Sequence, residues 1–142
     1  MALPLTPNAQ GEIPLDKLPG LYAMETHKGT RFRWTPPVTS LLFTLSPGDY
    51  LVEIDTQNLR GPAGRLPLSL LWNGRLLPAR ELRRSDGRLS FRIKRQAWGP
   101  AGQQRATIVI PAVSRIGTRE QRRLGLPIVS LHVLPASPEV QG

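Results

Sequence analysis

Arg31-Phe32-Arg33-Trp34-Thr35, near the start of the chain, decides the fold together with Ile128-Val129-Ser130-Leu131-His132-Val133, near its end. Apolar and polar residues alternate in the first segment, and apolar residues dominate the second, which is typical of β-strands with a buried face. Glu25 precedes the first segment, and Glu120 and Arg122 precede the second. Because both ends combine a strand with arginine and a carboxylate, we expect the two segments to lie side by side in one sheet.

The residues between these segments show the same two-residue period, interrupted by turns. Eight segments are predicted as strands, namely 30–35, 40–45, 50–56, 68–72, 75–77, 89–94, 106–110 and 128–134. Asn73-Gly74 is the strongest hairpin signal, because a type I′ turn needs positive φ at both central positions. No segment has the period of an amphipathic helix. The sequence therefore predicts an all-β fold: an antiparallel β-sandwich, jelly-roll-like, of about eight strands, with its first and last strands adjacent.

The length of 142 residues fits one domain with its own core. Residues 1–16 and 135–142 show no periodicity, which predicts flexible tails on either side of a domain at 17–134. The N-terminus lacks the pattern of a signal peptide, and no apolar run is long enough to span a membrane. We expect a cytoplasmic protein without a membrane span, whose oligomeric state the sequence leaves open.

The chain is strongly basic, with a net charge of +9 that comes from 16 arginines and 3 lysines against 10 acidic residues. The arginines are spread over all segments, which is typical of a solvated charged surface. The functional alternative is one face that binds nucleic acid, an acidic glycan or phosphate.

Catalytic and metal-binding patterns do not stand out. The chain has no cysteine, which excludes disulfides, thiolate nucleophiles and cysteine-bound zinc. His27 and His132 are far apart in the sequence, so neither a metal site nor another cofactor is expected. Glu53 and Asp55 share one strand face, but such a pair on a strand is usually solvated. We expect a protein that is not an enzyme.

Six residues are candidates for ligand binding: Tyr22, Glu25, Arg33, Trp98, Glu120 and Arg122. In one interpretation the two glutamates and the two arginines form ion pairs that latch the first strand to the last. In the other, the same groups and Tyr22 form a polar groove that hydrogen-bonds sugar hydroxyls, with Trp98 as a stacking surface. In both, Trp34 is expected to face the core and Arg33 to face outward.

The order of these motifs resembles a small β-sandwich domain of bacterial glycosyltransferases and surface-polysaccharide biosynthesis proteins. The matching motifs are Gly20-x-Tyr22-x-x-Glu25, Arg33-Trp34, Asn73-Gly74 and Glu120-x-Arg122-x-Leu124-Gly125, which together cover residues 19–134. Glu120 departs from the aspartate of that domain, and Ala23-Met24 stands where prolines are common.

The resemblance implies a non-catalytic, carbohydrate-binding accessory module that works with a glycan and a separate glycosyltransferase-type partner. Two other functions remain open on the sequence alone. One is a structural or assembly subunit that contacts other proteins. The other is an arginine-rich module that binds nucleic acid or another polyanion.

Overall fold

The computed structural model describes residues 5–46, 48–57, 68–85, 87–94, 103–110 and 124–136. In these ranges the chain forms eleven β-strands and two single-turn 3-10 helices, the latter at Leu15–Lys17 and Ala79–Glu81. The strands are β1 (Glu12–Ile13), β2 (Glu25–His27), β3 (Thr30–Trp34), β4 (Val38–Thr44), β5 (Tyr50–Thr56), β6 (Ser69–Trp72), β7 (Arg75–Leu76), β8 (Arg83–Ser85), β9 (Arg88–Ile93), β10 (Gln103–Val109) and β11 (Pro127–Pro135).

The strands form two antiparallel sheets. The larger sheet has the order β2-β3-β11-β5-β9-β8, with β1 also paired to β11, and the smaller has the order β4-β10-β6-β7. The predicted first and last strands are neighbours, since Arg33 pairs with Ile128 and Trp34 with Pro127. The predicted all-β antiparallel sandwich with adjacent first and last strands is confirmed.

The described part of the chain has more strands than the eight predicted, because three short strands carry no clear alternation. They are β1, β2 and β8, with two or three residues each. The β2–β3 hairpin turns through Lys28 and Gly29, which both have positive φ. These strands form because they pair with neighbouring strands, and the local sequence does not reveal that pairing.

Residues 5–16, which the sequence predicts as part of a flexible tail, contain residues that pair with and pack against the sandwich. Ile13 is 1% exposed and pairs with Leu131 of β11, and Leu5 is 8% exposed and bridges to Phe43. Two apolar anchors in a polar, proline-containing stretch are too few to produce a periodic signal. At the other end β11 extends to Pro135, and residues 137–142 lie outside the described residues.

The main core lies between the two sheets and is centred on aromatic rings. Trp72 is 1% exposed and stacks on Phe43, with ring centroids 6.0 Å apart and an interplanar angle of 11°. Phe91 from the other sheet meets Trp72 edge-on, with centroids 6.3 Å apart. Trp72 is therefore a core residue. The hairpin signal that follows it is confirmed, since Asn73 has φ 52° and Gly74 has φ 81°.

A buried amide connects this core to the hairpin. Gln104 is 0% exposed, and its Oε1 accepts hydrogen bonds from Trp72 Nε1 at 3.3 Å and from Asn73 Nδ2 at 2.7 Å. Asn73 Oδ1 in turn accepts the backbone N–H of Arg105 at 2.9 Å. Because both groups that bind the Gln104 side chain are donors, the atom that they contact must be the amide oxygen, which fixes the amide orientation. The amide nitrogen, Nε2, has no hydrogen-bond partner.

Candidate functional site

Arg33 binds main-chain carbonyl groups of the segment that precedes it. Its Nε donates to the Tyr22 carbonyl at 2.8 Å, and its Nη2 donates to Leu21 at 2.9 Å. Its Nη1 donates to the carbonyls of Leu15 at 2.8 Å and Leu18 at 3.0 Å. A guanidinium has five N–H donors, so these four bonds leave little capacity for a ligand. One of the two interpretations from the sequence pairs Arg33 with a carboxylate; here its four hydrogen bonds go to main-chain carbonyls of residues 15–22.

Trp34 is buried, as the sequence predicts, but the opposite face of β3 meets the main core. Arg33 pairs with Ile128, which belongs to the main core, so the Arg33 side chain starts from the core face of the sheet. Trp34 is 3% exposed but lies on the opposite face, in a separate cluster with Phe32 and Leu124. Alternation distinguishes two faces but cannot tell which one is covered by the second sheet, and here Leu124 covers the outer face.

Of the other candidate residues, Tyr22 and Glu25 lie near this outer cluster. The Tyr22 side chain packs against the cluster while its backbone N–H donates to Trp34 O at 2.9 Å. Glu25 pairs with Phe32 across β2 and β3. Tyr22 thus packs against this cluster and Glu25 pairs with one of its residues, whereas the Arg33 side chain starts from the opposite face and binds the backbone carbonyl of Tyr22. Trp98, Glu120 and Arg122 lie outside the described residues.

The Leu124-Gly125-Leu126 motif joins the two ends of the chain through the backbone. Thr35 N donates to Leu126 O at 2.8 Å, and Gly125 N donates to Thr35 O at 2.7 Å. The fully buried Thr35 also accepts the Leu126 N–H on its Oγ1, at 2.9 Å. A Cβ at Gly125 would stand 2.6 Å from the Pro36 carbonyl oxygen, so only glycine permits this approach.

The outer face of the larger sheet carries an ion-pair network. Arg88 donates to both Asp55 oxygens, at 2.7 and 3.3 Å, and to Glu53 Oε2 at 3.0 Å. Ser130 Oγ donates to Asp55 Oδ2 at 2.9 Å. The hydrogen bond from Arg88 holds the pKa of Asp55 below its usual value. The two carboxylates that the sequence singles out are therefore bound to one arginine across neighbouring strands.

The histidines do not converge on a common site. His132 Nε2 lies 3.7 Å from Glu12 Oε2 on the outer sheet face, while His27 is exposed in the β2–β3 hairpin. Within the ranges described above, no three side chains of the metal-ligating types form a cluster. The same ranges contain no helix that is long and apolar enough to cross a membrane.

A cleft of about 650 Å³ opens at one end of the sandwich, and we call it the end cleft. It lies between the N-terminal segment and the start of β5. Its described lining comprises Thr6, Pro7, Asn8, Ala9, Gln10, Gly11, Thr44, Leu45, Ser46, Tyr50, Val133, Leu134 and Pro135, none of which has a charged side chain. Asn8 Oδ1 accepts the backbone N–H groups of Gln10 and Glu12, at 3.0 and 2.9 Å, which fixes the turn that forms one wall.

A second cleft, of about 540 Å³, lies on the outer face of the larger sheet, and we call it the basic cleft. Its described lining comprises Leu51, Arg80, Glu81, Arg83, Ser90, Phe91, Arg92 and Lys94, that is, four cationic side chains and one carboxylate. All four cationic side chains are exposed. They come from the Ala79–Glu81 turn, from β8, from β9 and from the residue that follows β9.

Reasoning from the sequence missed both clefts as sites. Thr6 and Gln10 fall in the segment predicted as a tail, and nothing local indicates that it docks beside Tyr50. The alternation of β9 does predict that Arg92 and Lys94 face outward. What it cannot give is their convergence with Arg83, which depends on the pairing of the unpredicted strand β8 with β9.

No protein-family model matches the chain, and a search of curated proteins returns no match.

Proposed function

We propose that the protein is a non-catalytic glycan-binding module that works beside a separate glycosyltransferase or another enzyme of polysaccharide synthesis. The end cleft carries this proposal: in a chain with net charge +9, its described lining has no charged side chain. Sugar hydroxyls are neutral groups that both donate and accept hydrogen bonds. Hydroxyl and amide side chains match them, and a cleft of several hundred cubic ångströms holds one or a few sugar rings.

Individual side chains of the end cleft suit this ligand. Gln10, Thr44 and Ser46 are exposed and supply both donors and acceptors. Tyr50 is half-buried, and its O–H donates to the Ser46 carbonyl at 2.6 Å, which fixes the ring. The phenol is protonated at neutral pH and keeps this bond, and burial raises the pKa of Tyr50 above its usual value. The fixed ring then offers an apolar surface to the C–H groups of a sugar.

An open cleft of this kind binds weakly on its own. A few hydrogen bonds and one aromatic contact are largely offset by the loss of ligand freedom on binding. A module that presents a polymer to an enzyme gains retention from repeated units or from tethering. The resemblance of the motifs between residues 19 and 134 to the accessory domain of glycosyltransferases supports the same function and suggests the class of the partner enzyme.

The test measures retention of the protein on immobilised neutral oligosaccharides with glucose, galactose and mannose units, at low and high salt. Retention of the unaltered chain on at least one of them should be insensitive to salt. The double variant Gln10→Ala/Thr44→Val should lose at least about tenfold in affinity, because two hydrogen-bonding side chains of the cleft are removed. Thr26→Val, an exposed threonine on β2, is the matched control and should bind as the unaltered chain does.

Equal binding by the double variant and the control would overturn the assignment of the end cleft. Failure to bind any sugar, together with a stable oligomer at low concentration, would favour a subunit that contacts other proteins. Binding to nucleic acid alone, falling steeply with salt, would favour a polyanion-binding module.

A further inference from the structure

The basic cleft concentrates positive charge on one part of the sheet surface. Arg83 on β8 pairs with Ser90 on β9, and Arg92 lies two residues further along β9, on the same face. Arg80 and Lys94 complete the described wall, and Glu81 is its one carboxylate. Cations from separate elements around one depression are the arrangement that binds an anionic group.

Two acidic residues of this sheet face, Glu53 and Asp55, are paired with an arginine that does not line the basic cleft. Glu53, which pairs with Ser90, is bound by Arg88 at 3.0 Å. Asp55 is bound by the same Arg88 at 2.7 Å. Arg88 does not line the basic cleft, so the ion pairs of Glu53 and Asp55 lie outside it. The four cations of the cleft therefore face Glu81 as the one carboxylate of the described lining.

The two clefts adjoin each other. Leu51 lines the basic cleft and Leu134 lines the end cleft. These two leucines are directly paired across β5 and β11, and paired residues of neighbouring strands have Cα atoms about 5 Å apart. Tyr50 of the end cleft also precedes Leu51 in the chain. The two clefts are therefore neighbours on the surface, with this leucine pair at their boundary.

We infer that the ligand is an acidic glycan, with an uncharged unit in the end cleft and a carboxylate, sulfate or phosphate group in the basic cleft. This inference rests on the proposed function and adds the chemical class of the ligand. The guanidinium groups of Arg80 and Arg83 suit the planar fork of a carboxylate or the oxygens of a sulfate or phosphate ester. Lys94 contributes a point charge.

The observations favour a glycan over nucleic acid. Nucleic acid carries a charge on every nucleotide, and the uncharged end cleft would leave part of such a ligand without a cation. Single-stranded nucleic acid also uses stacking on aromatic side chains, and Phe91, the one aromatic residue of the described basic cleft, is 2% exposed. Acidic glycans place charged groups beside neutral hydroxyl-bearing units, as the paired clefts require.

The experiment uses the full chain and two matched probes, oligogalacturonate and its methyl ester, which share a sugar backbone and differ in the carboxylate. Sulfated and phosphorylated oligosaccharides form further arms that identify the anionic group, and duplex DNA forms a separate arm. We expect at least one acidic oligosaccharide to bind about tenfold or more tightly than its uncharged counterpart at physiological salt. The preference should decrease as salt increases.

Two variants with equal loss of net charge separate a local site from general attraction. Arg83→Gln/Lys94→Gln removes two cations of the basic cleft, and Arg31→Gln/Arg75→Gln removes two exposed arginines that do not line it. The first should abolish the preference for the acidic probe and keep binding to the neutral one. The second should keep the preference within about twofold, because distant exposed charges are screened.

Equal weakening by both variants, no preference for any acidic probe, or tighter binding of duplex DNA than of all acidic glycans would overturn the inference. These results leave the proposed function standing if the neutral probe still binds and Gln10→Ala/Thr44→Val still reduces that binding. If the protein binds neither neutral nor acidic oligosaccharides, the proposed function fails, and this inference fails with it.

Discussion

A single arginine holds the segment of residues 15–22 to the larger sheet. Arg33 donates to four carbonyls of that segment, including those of Leu15 and Leu21. The Leu15 carbonyl belongs to a single-turn 3-10 helix and the other three belong to irregular chain, so none of the four has a partner in a β-sheet. A planar cation with several N–H donors can satisfy all four at once, and this property makes arginine the suitable residue.

Replacement of Arg33 by alanine should lower the free energy of unfolding by about 2–4 kcal/mol, because four carbonyls lose a charged donor. Arg33→Lys should recover less than half of this loss, because one ammonium nitrogen cannot span four acceptors. Urea unfolding measures both variants. Retention on the glycan column at a temperature where the variants remain folded should not change. Lost retention in a fully stable Arg33→Ala would instead show that Arg33 contacts the ligand.

Gly125 is required because its backbone lies directly against that of Thr35 and Pro36, where a side chain has no room. Gly125→Ala should reduce stability by about 1–3 kcal/mol, because the added methyl group meets Thr35 and the Pro36 carbonyl oxygen. Gly48→Ala is the control, since its Cβ would have ordinary contact with Tyr50 at 3.9 Å. Thermal unfolding compares the two variants, and equal melting temperatures would show that the segment at 124–126 shifts without cost.

At the scale of the elements, the larger sheet is tied together on its outer face by Arg88. This side chain on β9 binds two carboxylates of β5, and Ser130 of β11 binds one of them. Cross-strand pairs of this kind stabilise the register of neighbouring strands, with a modest contribution each where they are partly exposed. The network therefore contributes modestly to stability, and it lowers the pKa of Asp55.

The pKa of Asp55 is lowered in the folded protein, mainly by its hydrogen bond from Arg88. Below the ordinary aspartate pKa of about 3.9, the unfolded chain takes up this proton first, so acid favours unfolding. The stabilisation is fully present at neutral pH and is lost as pH falls from about 4 through the folded pKa. Urea unfolding from pH 7 to pH 2.5 should show this loss.

Two variants identify the source of this acid sensitivity. Asp55→Asn and Arg88→Gln should both be less dependent on pH below about 4 than the unaltered chain, because each removes the interaction that lowers the pKa. Arg31→Gln removes the same charge at an exposed position on β3 and should retain the full dependence. If the free energy of unfolding fell equally with decreasing pH in all four proteins, the assignment of this acid sensitivity to Asp55 would be wrong.

Much of the element pattern could be predicted from the sequence, because alternation and turn residues act locally. β5 and β9 follow strict alternation, and Asn73-Gly74 adopts the turn that its residue types favour. What could not be predicted depends on distant partners. Short β8 exists because it pairs with β9, and Gln104 is polar by type but buried by its bonds to Trp72 and Asn73.

The candidate site was less predictable than the fold for the same reason. The motif around Arg33 and Trp34 correctly indicated that the two chain ends meet, but not which face each side chain takes. Arg33 serves the backbone, a role that no spacing of charged residues signals. Each cleft is lined by residues from several segments that are distant in the sequence. No single segment has a composition that indicates a binding site.

At the scale of the whole molecule, β1 (Glu12–Ile13) and the residues around it are part of the sandwich. Ile13→Ala should cost about 2–5 kcal/mol, because Ile13 is 1% exposed in the main core and its truncation leaves a cavity. Glu12→Ala, at the neighbouring half-exposed position of β1, should change stability by less than about 0.5 kcal/mol. Chemical denaturation compares both. A loss below about 1 kcal/mol in Ile13→Ala would show that β1 detaches readily.

The contact of Leu5 with β4 has a consequence for self-association. β4 is a seven-residue strand at the border of the smaller sheet, and Leu5 occupies part of its open backbone: Leu5 N donates to Leu42 O at 2.7 Å, and Thr44 N donates to Leu5 O at 2.9 Å. Uncovered borders of this length invite strands from other molecules and lead to fibrils or precipitates. Leu5 thus shields part of the edge of β4, and a chain shortened past Leu5 is expected to lose colloidal solubility before it loses its fold.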